Sequence, residues 1–223
     1  MIEMHEDAVS GNDTTIAVEI PPGYIPLPLR DINESIAAAE LLFANLGPGG
    51  VGDVAPAVLQ AMRVLLGKLA SLNAFYCGLG KHRSADGREV TSTLIITSDQ
   101  YGDVRNPRLT IADYLMARAD SANYMNVETL DISGKPVLLS DRIKRFPAPE
   151  LPGVEYAEDA QAEVYQIEAV VCSSDGSKIA VVELSTPFVD AGEEFLSVAA
   201  SVAGSIEFIT APGRAEGPSS LNL

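Results

Sequence analysis

The sequence predicts an α+β fold in which helices flank a mostly antiparallel sheet. Strand-like segments occur in pairs joined by short polar turns, helical periodicity occupies separate stretches, and two helix-like segments precede the first strand pair. Short turns favour antiparallel pairing, and helices packed on such a sheet form a layered domain. We therefore expect one domain over residues 14–209, with a disordered start at 1–13 and a flexible tail at 210–223.

The first elements are a strand and two helices. Residues 14–20 alternate and carry β-branched side chains, which predicts a strand. The four prolines of residues 21–30 fix φ and remove backbone donors, so this stretch is expected to be an extended connector. A helix with Ile32, Ile36, Ala39, Phe43 and Leu46 on one face follows, and then a second helix with a buried face of Val58, Met62, Leu65, Leu69 and Leu72. Because their connection is short, these helices are expected to pair.

The rest of the chain consists of strand pairs separated by helices. Strands are predicted at 74–79 and 89–97, at 127–132 and 136–146, and at 163–172 and 178–186. The Asp-Gly turn at 175–176 suits a hairpin that needs positive φ. A helix capped at Thr110 is expected between the first two pairs, and the last helix is expected to be capped by Asp190 and Glu193. Its buried face should comprise Phe195, Val198, Val202 and Ile206.

The second half of the chain resembles a known group of folds. The stretches YQIEAVVCSSDGSKIAVVELSTPF and EEFLSVAASVAGSIEF are similar to the hairpin and terminal helix of PsbP-like α/β/α sandwiches, over residues 89–209. The segments YCGLG, RNPRL and STPF are also similar to those of uncharacterised actinobacterial proteins. The resemblance implies an α/β/α sandwich, preceded here by the helical pair, and an accessory, partner-binding or effector-chaperone role. It implies no catalytic or cofactor-binding residue.

Charge and composition narrow the classes of function. The net charge of −16 comes from 31 acidic and 15 basic residues, which disfavours nucleic-acid binding because phosphate backbones are repelled. The bases are segregated: residues 81–145 hold 10 of the 15, with 9 of the acids. No uninterrupted apolar run of membrane length and no signal-like start occurs, so we expect a cytoplasmic protein without membrane insertion.

The stretch YCGLGKHRS, residues 76–84, carries the residues that look most like a chemical site. Gly80-Lys81 lacks the first glycine and the Ser or Thr of a phosphate loop. Cys77 and His82 lie five positions apart, which does not place a base beside a thiol on a strand. We expect a core cysteine, and a disulfide between Cys77 and Cys172 is left open.

No cofactor or metal is expected. His82 is the one histidine outside the acidic start, so a zinc site of several Cys and His ligands lacks its donors. The acidic cluster Glu155, Glu158, Asp159 and Glu163 lacks the spacing of a calcium loop. We interpret it as a solubilising loop, most of it within a long connection at 147–161.

The remaining candidates are basic and aromatic residues in the region where the bases concentrate. On a strand, Arg142, Lys144 and Phe146 would share one face, and Ile143 and Arg145 the other. Such a strand is either an edge protected by charge or a contact surface rich in arginine and aromatic side chains. The candidate partner-binding residues are Lys81, His82, Arg83, Arg105, Arg108, Arg142, Lys144, Arg145 and Phe146.

Three functional hypotheses follow. The leading one is a non-enzymatic accessory, adaptor or chaperone-type protein that binds another protein, such as a secreted effector or an assembly component. The second is a small-molecule-binding or hydrolytic enzyme with a pocket near the helical pair and the 147–161 connection. The third is a structural subunit of an assembly, and homo-oligomerisation is compatible with each of them.

Overall fold

The computed structural model describes residues 15–44, 51–118, 123–147 and 161–209. Within these residues an α+β architecture is present, with a seven-stranded sheet ordered β2-β3-β4-β8-β7-β6-β5 and a separate β1-β9 pair, all antiparallel. The predicted start, the tail and most of the 147–161 connection lie outside the described residues. The strands are β1 (Thr15–Ala17), β2 (Tyr24–Pro26), β3 (Ala74–Arg83), β4 (Glu89–Gln100), β5 (Asn126–Ile132), β6 (Lys135–Pro147), β7 (Gln161–Cys172), β8 (Lys178–Thr186) and β9 (Glu207–Ile209).

Helices cover both faces of the large sheet, so the predicted mostly antiparallel α+β fold with flanking helices is confirmed. We call the two sides the α4 face and the α2–α3 face, after the helices that pack on them. A 3-10 helix (Val189–Phe195) leads into α4 and packs on the same side. The helices are α1 (Ile32–Ala44), α2 (Val51–Ser71), α3 (Pro107–Arg118) and α4 (Leu196–Ser205).

The main core lies on the α4 face. Leu94, Leu184 and Ile167 stand opposite one another on β4, β8 and β7, and all three are fully buried. They pack beneath α4 together with Val202 and Ala199. Burying a side chain of this size contributes about 1.5–3 kcal/mol, so this row anchors the centre of the sheet.

Two smaller cores lie on the α2–α3 face. Ile111 and Tyr114 of α3 pack on Leu138 and Val170, and α2 packs on the side chain of Cys77 in β3. The helices therefore cover different strands and leave the sheet between them to polar side chains.

The face predicted for α2 is only partly correct, because Leu69 is buried but most of the other residues predicted there are not. Val58, Leu65 and Leu72 are 43%, 46% and 56% exposed, whereas Leu59 and Leu66 are buried. The helix carries two apolar stripes, one with Val58 and Leu65 and the other with Leu59 and Leu66, so periodicity could not decide which stripe is buried. The buried stripe is the one that meets both α1 and β3. The stretch Val54–Ser71 is also apolar and long enough, by length and composition alone, to cross a membrane, although we expected no such segment.

Two predicted helix starts are also wrong. Helix α3 begins at Pro107, not after Thr110, because the side chain of Asn106 accepts a hydrogen bond from the Arg108 N–H (2.9 Å) and caps the first turn. Thr110 is fully buried within the helix. Asp190 lies inside the 3-10 helix and binds Arg88 (2.6 Å), so it caps no α-helix.

Two short strands were missed, and β3 and β4 are longer than predicted. The proline-rich connector contains β2, which pairs with the middle of β3, and β9 follows α4 to pair with β1. Strand β3 continues through Arg83, so the basic residues 81–83 belong to the strand and the turn lies beyond them. Gly176 has φ 70°, as the hairpin prediction required.

Candidate functional site

The stretch YCGLGKHRS is a strand whose alternating side chains reach opposite faces of the sheet. Cys77 packs beneath α2, whereas His82 packs among the rings of the α4 face. The thiol and the imidazole therefore cannot form a catalytic pair. Cys77 and Cys172 are both buried and free, and β4 and β8 separate their strands, so the disulfide alternative is wrong. Burial raises the pKa of each thiol to about 11.

His82 is held by an interior polar contact. Its Nε2 lies 3.0 Å from Ser92 Oγ, which also contacts the Tyr24 hydroxyl at 2.8 Å, and its ring meets Phe195 edge-on. Burial lowers the pKa of His82. A side chain at Gly80 would collide with His82 and Tyr24, which explains the glycine. His82 therefore does not share the surface of its neighbours Lys81 and Arg83, which lie on the α2–α3 face.

Arg105 and Arg108 lie at the start of α3. Arg105 Nε donates to Thr110 Oγ1 (2.9 Å), and its Nη1 pairs with Asp113 at 2.5 Å. Arg108 pairs with Asp131 of β5 at 3.1 Å. Both arginines are therefore engaged in fastening α3 to its surroundings, away from the bases of β6.

The C-terminal half of β6 carries the densest group of predicted residues. We call Arg142, Lys144, Arg145 and Phe146 the basic end of β6. Arg142, Lys144 and Phe146 project on the α2–α3 face, because they alternate with Ile143 and share the phase of Leu138 beneath α3. Arg145 lies on the other face and pairs with Glu163 at 2.7 Å.

Lys81 and Arg83 lie at the same end of the same face as the basic end of β6. Lys81 is the register partner of Thr91 in the β3–β4 pair, and Lys144 is the register partner of Val164 in the β6–β7 pair. Four strand spacings separate β3 from β6 in the sheet order, which is about 19 Å. The two basic groups therefore flank one sheet surface without touching each other.

A buried carboxylate stands beside the basic end of β6. Glu168 of β7 is 3% exposed, and it accepts hydrogen bonds from Arg118 Nη1 (3.0 Å) and from the hydroxyls of Tyr114 and Tyr124 (3.2 Å each). Glu183 of β8 stands directly opposite it. Like charges in this position repel, so the cations are needed to hold the two acids together.

Cations and tyrosine rings complete this polar cluster. The Arg118 guanidinium lies 4.5 Å from the centre of the Tyr114 ring, and that of Arg142 lies 5.4 Å from the Tyr124 ring. Arg142 Nε also donates to Gln166 Oε1 at 2.7 Å. Burial lowers the pKa of Lys144, which Glu183 partly offsets. The cluster thus sets the cations of Arg118, Arg142 and Lys144 against the carboxylates of Glu168 and Glu183.

The polar cluster contains residues that sequence analysis missed, namely Arg118, Tyr114, Tyr124 and Glu168. One signal for Glu168 was present: it is a carboxylate within the otherwise apolar stretch YQIEAVVC of a central strand. Its partners come from α3 and from the segment before β5, up to 54 residues away in the chain. Local pattern could not identify them.

A cavity of about 540 Å³ opens on the α4 face between the start of β5 and α4. Its charged lining residues are Asp141 and Glu128. Asp141 is buried and accepts hydrogen bonds from the Tyr165 hydroxyl (2.6 Å) and from the backbone and side chain of Asn126 (3.0 Å each). The carboxylate thus fixes β5 on β6, and the cavity lies on the opposite face from the basic end of β6.

Metal binding has little support from the described side chains. Within residues 15–44, 51–118, 123–147 and 161–209, no group of three or more His, Cys, Asp or Glu side chains is placed to hold an ion. Of the acidic cluster discussed above, Glu163 pairs with Arg145, and the other three residues lie outside the described part.

No protein-family model matches this sequence, and no curated protein shows significant similarity to it.

Proposed function

We propose that this chain is a non-enzymatic accessory protein that binds an acidic protein partner at the basic end of β6. The observation that carries the proposal is the grouping of the exposed Phe146 with the half-buried Arg142 and Lys144 on one sheet face of a protein with net charge −16. Arginine and aromatic side chains are enriched at interface hot spots. Charge complementarity accelerates association and selects against wrong partners.

The surroundings of this group support a docking role. Phe146 is 46% exposed, and an exposed aromatic beside fixed cations is suited to a protein contact. Arg142 is oriented by Gln166 and Tyr124, so little side-chain entropy is lost when a carboxylate binds it. Lys81, which pairs with Glu89 at 3.0 Å, and Arg83 lie apart from this group on β3, so only a wide partner would reach them.

Selection from a peptide display library tests the proposal. Random peptides are selected on the immobilised protein, and the peptides recovered are expected to be rich in Asp and Glu. Lys144→Glu/Arg145→Glu is expected to lose their binding. Arg30→Glu/Lys68→Glu changes the net charge equally but alters exposed bases elsewhere, and it is expected to bind as the native protein does. Equal binding by both double variants would refute the proposal.

A second candidate function rests on the cavity of the α4 face. Its volume, about 540 Å³, lies in the range of small-molecule sites, so a ligand-binding or hydrolytic role is the alternative. The hydrogen bonds that Asp141 already makes to Tyr165 and Asn126 leave it little capacity for acid–base work. A fragment screen by protein-observed NMR, with shifts confined to Leu196, Glu128 and Leu139, would favour this alternative.

A further inference from the structure

The outer edge of β6 is only partly paired. Strand β5 covers β6 from Lys135 to Asp141. Within the described residues, no strand lies beside the remaining stretch Ile143–Pro147 on that side. On its other side the same stretch is paired with β7 through to Pro147.

The direction of the free backbone groups follows from the ladder. The Asp141 carbonyl accepts a hydrogen bond from the Met125 N–H (2.8 Å), so Asp141 points toward the β5 side. In an antiparallel strand the groups of alternate residues point to the same side. The N–H and C=O of Ile143 and Arg145 therefore point outward, and Lys144 and Phe146 turn theirs toward β7.

Pro147 fits this assignment. It occupies the same phase as Arg145 and has no N–H, so it would break the ladder if it faced β7. Proline is tolerated in sheets where the missing donor would face away from a partner strand. A proline at an outward-pointing position of β6 therefore removes no hydrogen bond between β6 and β7.

The geometry points to β-strand addition at Ile143–Pro147 by an acidic extended segment of a partner protein. This inference rests on the proposed function and specifies its binding mode: main-chain hydrogen bonds to Ile143 and Arg145 supply affinity, and alternate side chains supply specificity. Acidic residues of the added strand would lie beside Arg142 and Lys144 on the α2–α3 face. β-branched residues would lie beside Ile143 on the other.

Charge selects this occupant over a second copy of the chain. Antiparallel pairing of two such edges would place Arg142, Lys144 and Arg145 against the same residues of the copy, and opposed like charges destabilise a sheet. An acidic strand removes that repulsion.

The test compares two substitutions at one position. The probe is an alternating Glu-Val peptide of about eight residues, long enough to span the free edge, measured by fluorescence anisotropy. Arg145→Ala keeps the outward N–H, and because Arg145 lies on the face of the valines it is expected to change binding less than about twofold. Arg145→Pro removes the outward N–H and is expected to weaken binding about tenfold beyond Arg145→Ala.

Hydrogen exchange of the native protein gives a second measurement that does not depend on a variant. The N–H groups of Ile143 and Arg145 are expected to become protected when the peptide binds, whereas those of Lys144 and Phe146 are protected before it is added. Circular dichroism of Arg145→Pro checks that the fold is retained.

The outcomes separate this inference from the proposed function. Equal binding by Arg145→Pro and Arg145→Ala, without new protection at Ile143, overturns strand addition, while loss of binding in Lys144→Glu/Arg145→Glu still supports an acidic partner. Failure of the Glu-Val peptide to bind, when acidic library peptides do bind, also overturns strand addition alone. Self-association of the native protein that Arg145→Pro abolishes would assign the edge to a second copy and overturn the acidic partner.

Discussion

The carboxylate of Glu168, which is almost wholly buried, lies 3.0 Å from the guanidinium of Arg118, which is nearly half exposed. A buried acid is thus stabilised by a cation that reaches it from the solvent side. The same acid faces Glu183 across the β7–β8 ladder.

Removing the Arg118 charge is expected to destabilise the fold. Arg118→Met keeps an apolar stem but leaves Glu168, among the described residues, with the hydroxyls of Tyr114 and Tyr124 as its donors, and we expect a loss of about 1–3 kcal/mol in the free energy of unfolding. Urea denaturation measures it. The double variant Arg118→Met/Glu168→Gln is expected to be more stable than Arg118→Met alone, because the uncompensated charge is gone. Additive losses in the double variant would contradict this account.

The free energy of unfolding is expected to fall as the pH is lowered, because His82 resists protonation in the folded protein. Burial lowers the pKa of His82 below its usual value of 6.5, so below that pH the unfolded chain binds a proton that the folded chain resists. The free energy of unfolding should therefore decrease as the pH falls through 6.5. Below the pKa of His82 in the folded protein, the loss caused by His82 should reach a constant value. Denaturation curves at several pH values measure this slope, and His82→Asn is expected to reduce it. An unchanged slope in His82→Asn would show that other groups cause it.

Both thiols are expected to resist alkylation in the folded protein. With the pKa of each raised to about 11 by burial, the thiolate is scarce near neutral pH. Iodoacetamide should modify Cys77 and Cys172 only after denaturation, as intact mass spectrometry would show. Rapid modification of either cysteine in native buffer would contradict the burial described for it.

Two glycine substitutions should have opposite effects. A methyl group at Gly80 would press against His82, Tyr24 and Ser92, and Gly80→Ala is expected to cost about 1–3 kcal/mol. Gly67 lies in α2 with open space around it, and Gly67→Ala is expected to stabilise by up to about 1 kcal/mol. Thermal melting distinguishes the two, and similar shifts in both variants would argue against the ring packing around Gly80.

The parts of the fold that were predicted correctly are those specified by neighbouring residues. The β7–β8 hairpin follows from two alternating strands around Asp175-Gly176, whose local conformation suits the turn. The face of α2 was not predictable, because two apolar stripes compete and only the position of β3 decides between them. The cap at Asn106 was missed because Thr110 offered a similar local signal.

The candidate site also has a part that local sequence pattern predicts and a part that depends on tertiary packing. Alternation along β6 was sufficient to place Arg142, Lys144 and Phe146 on one face. The contact of Glu168 with Arg118 depends on how α3 lies across the sheet, and the two residues are 50 positions apart. The point at which β6 loses its β5 partner among the described residues also depends on where β5 begins, which the β5 sequence alone does not determine.

The pairing of β1 with β9 has a consequence for biosynthesis. Thr15 and Ile209 are register partners, so β1 cannot pair until β9 has been translated. At synthesis rates of about 5–20 residues per second that interval is about 10–40 s. Throughout it, Ile16, which is buried in the finished protein, lacks its partner strand, so the nascent chain is expected to be most vulnerable to ribosome-associated proteolysis before residue 209 emerges.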